Sequence, residues 1–133
     1  FSALDYGRIL DRAAAKGMGA FVIRILAAGA LTADPGAGGG SSAEPLSPGS
    51  DYALDLQRTG KVKAALGIDG KGLTQAAIRF GLMHPRVSSV LVGFSNTRHI
   101  DEAAACSGAP AFSDDEMAKM RKLWETDFGR LTP

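Results

Sequence analysis

Only two segments of this chain read as β-strand, and that constrains its fold more than any other feature. Residues 20–26, AFVIRIL, and 87–92, VSSVLV, are short runs rich in β-branched and aromatic side chains, with a single charge between them. Runs of this kind belong to strands of a parallel sheet covered on both faces. Helical patterns surround them in the order α, β, long loop, α, α, β, α, α, and such alternation indicates parallel β/α architecture. A parallel pair is not a complete sheet, because its edges carry unpaired N–H and C=O groups and its apolar faces meet water. Three completions are open: strands from a further polypeptide, pairing between copies of the chain, or helices rearranged over a minimal sheet.

The helical segments follow from periodicity. Tyr6, Ile9, Leu10, Ala13 and Ala14 form one stripe, which stops at Lys16 and Gly17. A looser pattern through Tyr52, Leu56, Val62, Ala65 and Leu66 is capped by Ser50 or Asp51, with Gly60 a weak point where the helix is open to interruption. Residues 67–72 break it. Leu73, Ala76, Ala77, Phe80 and Met83 then share a face while Ile78 and Leu82 occupy another, which predicts deep burial up to the stop at His84-Pro85. A helix follows over residues 97–106. Ser113 and Glu116 form a capping box ahead of Met117, Met120, Leu123 and Trp124, which read as core. Residues 33–49, almost all Gly, Ser, Pro and Ala, read as a flexible loop that builds no core.

Fifteen basic against fourteen acidic side chains, a net charge of +1, 45% apolar residues and no basic cluster argue against nucleic acid as a partner. The single Cys106 has no internal disulfide partner and no Cys/His spacing suits a metal, so a cytoplasmic setting without zinc is expected. No apolar run reaches membrane-spanning length and no leader is visible. The chain starts at Phe1 rather than Met, which suggests a processed or partial polypeptide. Tyr6, Tyr52, His84 and Cys106 read as structural or merely exposed.

Residues 87–103, VSSVLVGFSNTRHIDEA, carry the functional signal. A strand runs into Gly93 and a helix opens through Ser95, Asn96 and Thr97, so the first N–H groups of that helix point beyond the strand's carboxyl end. An anion such as phosphate fits that arrangement. Plain helix capping by Ser95 and Asn96 explains the same residues.

This segment resembles the last-strand region of aldo-keto reductases, where a Gly-x-Ser-Asn turn leads into a helix. LTQAAIRFGLMHPRV (residues 73–87) is similar to that family's penultimate helix, and VIRILAAGAL (residues 22–31) to its seventh strand and following loop. The three blocks agree in order and spacing and span nearly the whole chain. The resemblance implies the C-terminal part of a (β/α)8 TIM barrel, about two strands and five helices forming a single partial domain over residues 1–133, incomplete as a stand-alone barrel. It implies the NAD(P)H-binding portion of an oxidoreductase that reduces an aldehyde or ketone, or oxidises a sugar or alcohol, by hydride transfer at the carboxyl end of the strands. The cofactor that the resemblance implies is NADPH, with NADH left open.

By position, the resemblance assigns Arg24 and Leu26 to the nicotinamide ribose and pyrophosphate, and Gly29 to a turn of close approach. Gly93, Phe94, Ser95 and Asn96 fall to the turn around the adenosine 2′-phosphate, and His99 and Glu102 to contacts with that phosphate and the adenine. The family commonly has Arg, Lys or Gln at the place of His99 and often Asn at that of Ala103, so the grip on the 2′-phosphate is weaker here, with Arg98 placed to compensate. Ile23 stands where an aromatic usually stacks on nicotinamide. The loop at residues 33–49 is placed to fold over the pyrophosphate. The Asp, Tyr, Lys and His tetrad belongs to early strands outside this chain, so no catalytic residue is assigned and the chain by itself is expected to be inactive. The contrasting reading is a non-catalytic half-barrel interaction module with a vestigial phosphate site.

Overall fold

The computed structural model describes residues 8–35 and 51–130. Strands β1 (Phe21–Val22) and β2 (Ser89–Val90) pair in parallel, with Phe21 opposite Ser89 and Val22 opposite Val90. The Ser88 N–H donates to the Ala20 carbonyl and the Leu91 N–H to the Val22 carbonyl, each at 2.8 Å, which extends the ladder by one bond at either end. Both strands are shorter than the predicted 20–26 and 87–92. Arg24 ends β1 by entering the left-handed region at φ 55°, a conformation that no strand continues through.

Burial on both faces of the sheet is also corrected. Val22 and Val90 lie opposite each other and therefore on one face, partly buried beneath a helix. Phe21, Ile23 and Leu91 have the other parity and are 67%, 62% and 53% exposed. One face is covered and the other is bare among the described residues.

Helix α1 (Ile9–Ala15) opens on Arg8, whose guanidinium pairs with Asp11 at 2.8 Å. It contributes no buried residue, and Tyr6 of its predicted stripe lies outside the described residues. A 3₁₀ turn spans Ala27–Gly29. Of the predicted flexible loop, residues 36–49 lie outside the described residues.

Helix α2 (Tyr52–Leu66) is capped by Asp51, which accepts from the Leu54 N–H at 2.6 Å, and it runs through Gly60 without interruption. A helical glycine costs only about 1 kcal/mol relative to alanine, and the packing of α2 on the last helix, α5 (Asp114–Glu125), offsets that. Helix α3 (Gly70–Leu82) starts earlier than expected, because Asp69 accepts from the Gly72 N–H at 2.7 Å and caps it. Its buried residues are Leu73, Ala76, Ile78 and Gly81, on two faces as predicted, while Phe80 is 37% exposed. A Cβ at Gly81 would lie 2.9 Å from Ile25 Cδ1 and 3.1 Å from Val90 Cγ2, so glycine here lets α3 seat directly on the sheet.

Helix α4 (Thr97–Ala104) follows β2, and α5 carries the predicted capping box between Ser113 and Glu116. The core gathers Ala76, Phe112 and Met120 with Val62, Leu66, Ile68, Met83, Met117, Leu123 and Trp124. It lies wholly on the helix-covered side. Among the described residues, no helix is long and apolar enough to cross a membrane.

Candidate functional site

Parallel pairing puts the carboxyl ends of β1 and β2 at the same end of the sheet. The residues singled out from the sequence leave from that end in two groups, 24–29 after β1 and 93–102 after β2.

The first group forms a tight reversal. Arg24, Ala27 and Ala28 take left-handed φ values of 55°, 48° and 55°, and Gly29 reaches 95°. Only Gly29 holds such a backbone without steric cost. The Leu26 carbonyl accepts from the N–H groups of Gly29 at 2.9 Å and Leu31 at 3.1 Å, and the Thr32 hydroxyl donates to the Gly29 carbonyl at 2.7 Å. Among the described residues, no atom beyond its neighbours lies within 4 Å of a Cβ built on Gly29, so the sign of φ requires glycine there.

Gly93 differs from expectation. Its φ lies outside the left-handed region and a Cβ would meet nothing within 4 Å, so the turn does not depend on glycine at that position. Phe94 follows with 63% of its surface exposed. Asn96 is the N-cap of α4, extended at φ −153°, and its Oδ1 accepts from the His99 N–H at 3.1 Å. The capping reading therefore holds.

Capping also orients the ring of His99. With Oδ1 committed to the backbone, the Asn96 amide presents Nδ2 to His99 Nε2 at 3.1 Å. His99 Nδ1 lies 3.4 Å from the Ser95 hydroxyl. The Ser95 N–H donates to Nδ1 at 3.5 Å. His99 thus organises Ser95 and Asn96 into one unit, and its ring nitrogens are spent within the turn.

Positive charge at α4 comes from two other residues. Arg98 Nε lies 4.0 Å from Glu102 Oε1, and Lys71 Nζ on α3 approaches the same oxygen at 3.9 Å. Arg98 and Lys71 are 76% and 63% exposed against 24% for Glu102, so each cation keeps most of its surface toward solvent. Lys71 went unnoticed in the sequence, since 31 positions separate it from Glu102 and no local pattern couples them. Glu102 also holds Cys106: the thiol donates to the Glu102 carbonyl at 3.4 Å, and burial pushes its pKa up despite the nearby Arg79.

Ser95, Asn96 and His99 are joined by direct hydrogen bonds, and Glu102 lies one helical turn further on. Arg24, Leu26 and Gly29 share the strand end but form their own turn. His84 accepts from the Arg86 N–H at 3.2 Å and Tyr52 opens α2, structural places for both. Among the described residues, no group of three or more His, Cys, Asp or Glu side chains is arranged to hold a metal.

Helices between and after two parallel strands place the chain in the broad class of parallel α/β proteins. The family comparison narrows it: the profile of the aldo/keto reductase family matches residues 1–125, and the chain belongs to that family of oxidoreductases. No curated protein and no solved structure matches the chain.

Proposed function

We propose that this chain is the nicotinamide-dinucleotide-binding part of an NAD(P)H-dependent aldo-keto reductase acting on an aldehyde, ketone or alcohol, and that further strands close its two into a (β/α)8 barrel. The observation that carries this reading is the start of α4 at the carboxyl end of β2, where an Asn96-capped turn leads into a helix whose Glu102 is met by the cations Arg98 and Lys71. The N–H groups of Thr97 and Arg98 have no partner within the helix by geometry. Backbone donors with two largely exposed cations suit a phosphate dianion. Glu102, between the cations, is placed to accept from an adenine amino group.

The turn at residues 24–29 supports the same reading. Consecutive left-handed residues outside glycine cost of order 1–3 kcal/mol each, and such strain collects at ligand sites. Its position at the same sheet end as α4 lets one extended dinucleotide reach both groups. When bound, the dinucleotide supplies the hydride. The residues of this chain bind and orient it, and proton transfer to the carbonyl falls to groups outside the chain. NADPH is the preferred form, because Arg98 in the first turn of α4 and Lys71, which meets Glu102 further along it, add positive charge for a 2′-phosphate. The bare sheet face formed by Phe21, Ile23 and Leu91 is where a barrel interior would continue.

Fluorescence titration with NADPH and NADH tests this. Weak but saturable NADPH binding is expected, and the Lys71→Ala/Arg98→Ala double variant should weaken it by roughly threefold to tenfold, about 0.7–1.4 kcal/mol, while NADH binding changes little. Equal losses for both dinucleotides, or none for either, would overturn the assignment of the 2′-phosphate.

A further inference from the structure

Between α2, α3, α5 and the turn that follows β1 lies a cavity of about 290 Å³. Leu73, Ala76, Phe112 and Met120 in its wall are each at most 9% exposed, so its floor lies in the core. None of its lining residues comes from β2, α4 or the turn between them, and it is therefore separate from the proposed phosphate position.

We propose that this cavity binds a small neutral aromatic molecule of one or two fused rings. Size sets the first limit, since an apolar cavity of about 150 Å³ already accommodates benzene. Chemistry sets the second. Phe80, at the wall, stands 5.9 Å from Phe112 at 56° and 5.7 Å from Trp124 at 65°, so the cluster offers ring edges and faces to a further ring in the tilted geometry that aromatic pairs favour. Charge sets the third. The ionic groups at the cavity, Asp55 and Arg58, are engaged with each other at 3.6 Å, and Arg58 also meets Asp127 at 3.3 Å and the Phe128 ring at 5.5 Å. A guanidinium already paired with two carboxylates does not call for an anionic ligand, and apart from Asp55, Arg58 and Thr59 the wall is apolar.

Trp124 is the only tryptophan of the chain, so bromobenzene, a heavy-atom quencher of suitable size, reports occupancy directly. Titration of the full chain should give saturable quenching with a midpoint on the order of 1 mM or below, accompanied by a rise in melting temperature. Ala77→Leu fills the space from α3 and Thr59→Leu fills it from α2. At least one filled variant that still melts cooperatively should bind bromobenzene about tenfold more weakly, and saturating NADPH should leave binding to the parent chain unchanged. Quenching that stays linear with no rise in melting temperature would overturn the proposal. So would saturable quenching that survives both filling substitutions, which places the probe on the surface, or quenching displaced by NADPH, which places it in the dinucleotide site.

Discussion

At the scale of single residues, Cys106 shows how burial decides chemistry. Its side chain is 4% exposed, its thiol donates to the Glu102 carbonyl, and desolvation raises its pKa, because a thiolate there would lose water without gaining an adequate partner. Native protein at pH 8 should therefore react with a thiol reagent at least about 100-fold more slowly than protein in denaturant, on thiolate supply and access together. Comparable rates would show that the α4 end opens freely. The site residues were unevenly legible for a related reason. Asn96 was readable as a cap and Ser95 as its neighbour, since capping is local and obeys fixed spacing. The role of His99 was not, because its ring is committed by an amide orientation that only three-dimensional bonding reveals. Lys71 was invisible, being brought to Glu102 by the packing of α3 near α4.

At the scale of elements, the helices followed their local chemistry. Asp51, Asn96 and Ser113 all cap where the sequence places them, and Asp69 caps where a broader break was expected, since an Asx side chain can restart a helix within two residues of Gly67. Strand extent was not legible in the same way. Strand propensity assumes neighbours on both edges, and a strand ends where its ladder ends. The α5 capping box carries a pH dependence whose sign follows from Glu116. The Ser113 backbone N–H, donating to the Glu116 carboxylate at 2.7 Å, holds its pKa below the ordinary 4.5. A depressed carboxyl pKa stabilises the fold above the unfolded value, and that contribution fades as pH falls through the folded one. Glu116→Gln keeps the hydrogen-bonding shape without the charge, so the parent should be the more stable above about pH 5 and the difference should close toward pH 3. Ser113→Ala should cost about 1 kcal/mol at neutral pH in urea melts. A gap between parent and Glu116→Gln that is constant across this range would mean that the bond contributes nothing through its charge.

At the scale of the whole molecule, the uneven sheet is the dominant fact. α3 seats on one face so closely that Gly81 leaves no room for a methyl group, whereas Phe21, Ile23 and Leu91 stand open on the other, with Phe94 and Met18 also 63% and 60% exposed. Incompleteness of a two-stranded parallel sheet was legible in the sequence, but which face would be left bare depended on where α3 lands. An open apolar face beside open strand edges lowers its free energy by covering itself. The isolated chain should accordingly show mass that rises with concentration in sedimentation, together with strong emission from a hydrophobic dye. Replacing Ile23 and Leu91 by Lys should cut both signals by roughly half or more and leave the helical signal intact, since neither side chain reaches the core on the α3 side. A monodisperse monomer that binds no dye would show that the face is already covered. The same double substitution then decides between these outcomes: it destabilises a face covered from within the chain, and it solubilises one that waits for strands from elsewhere.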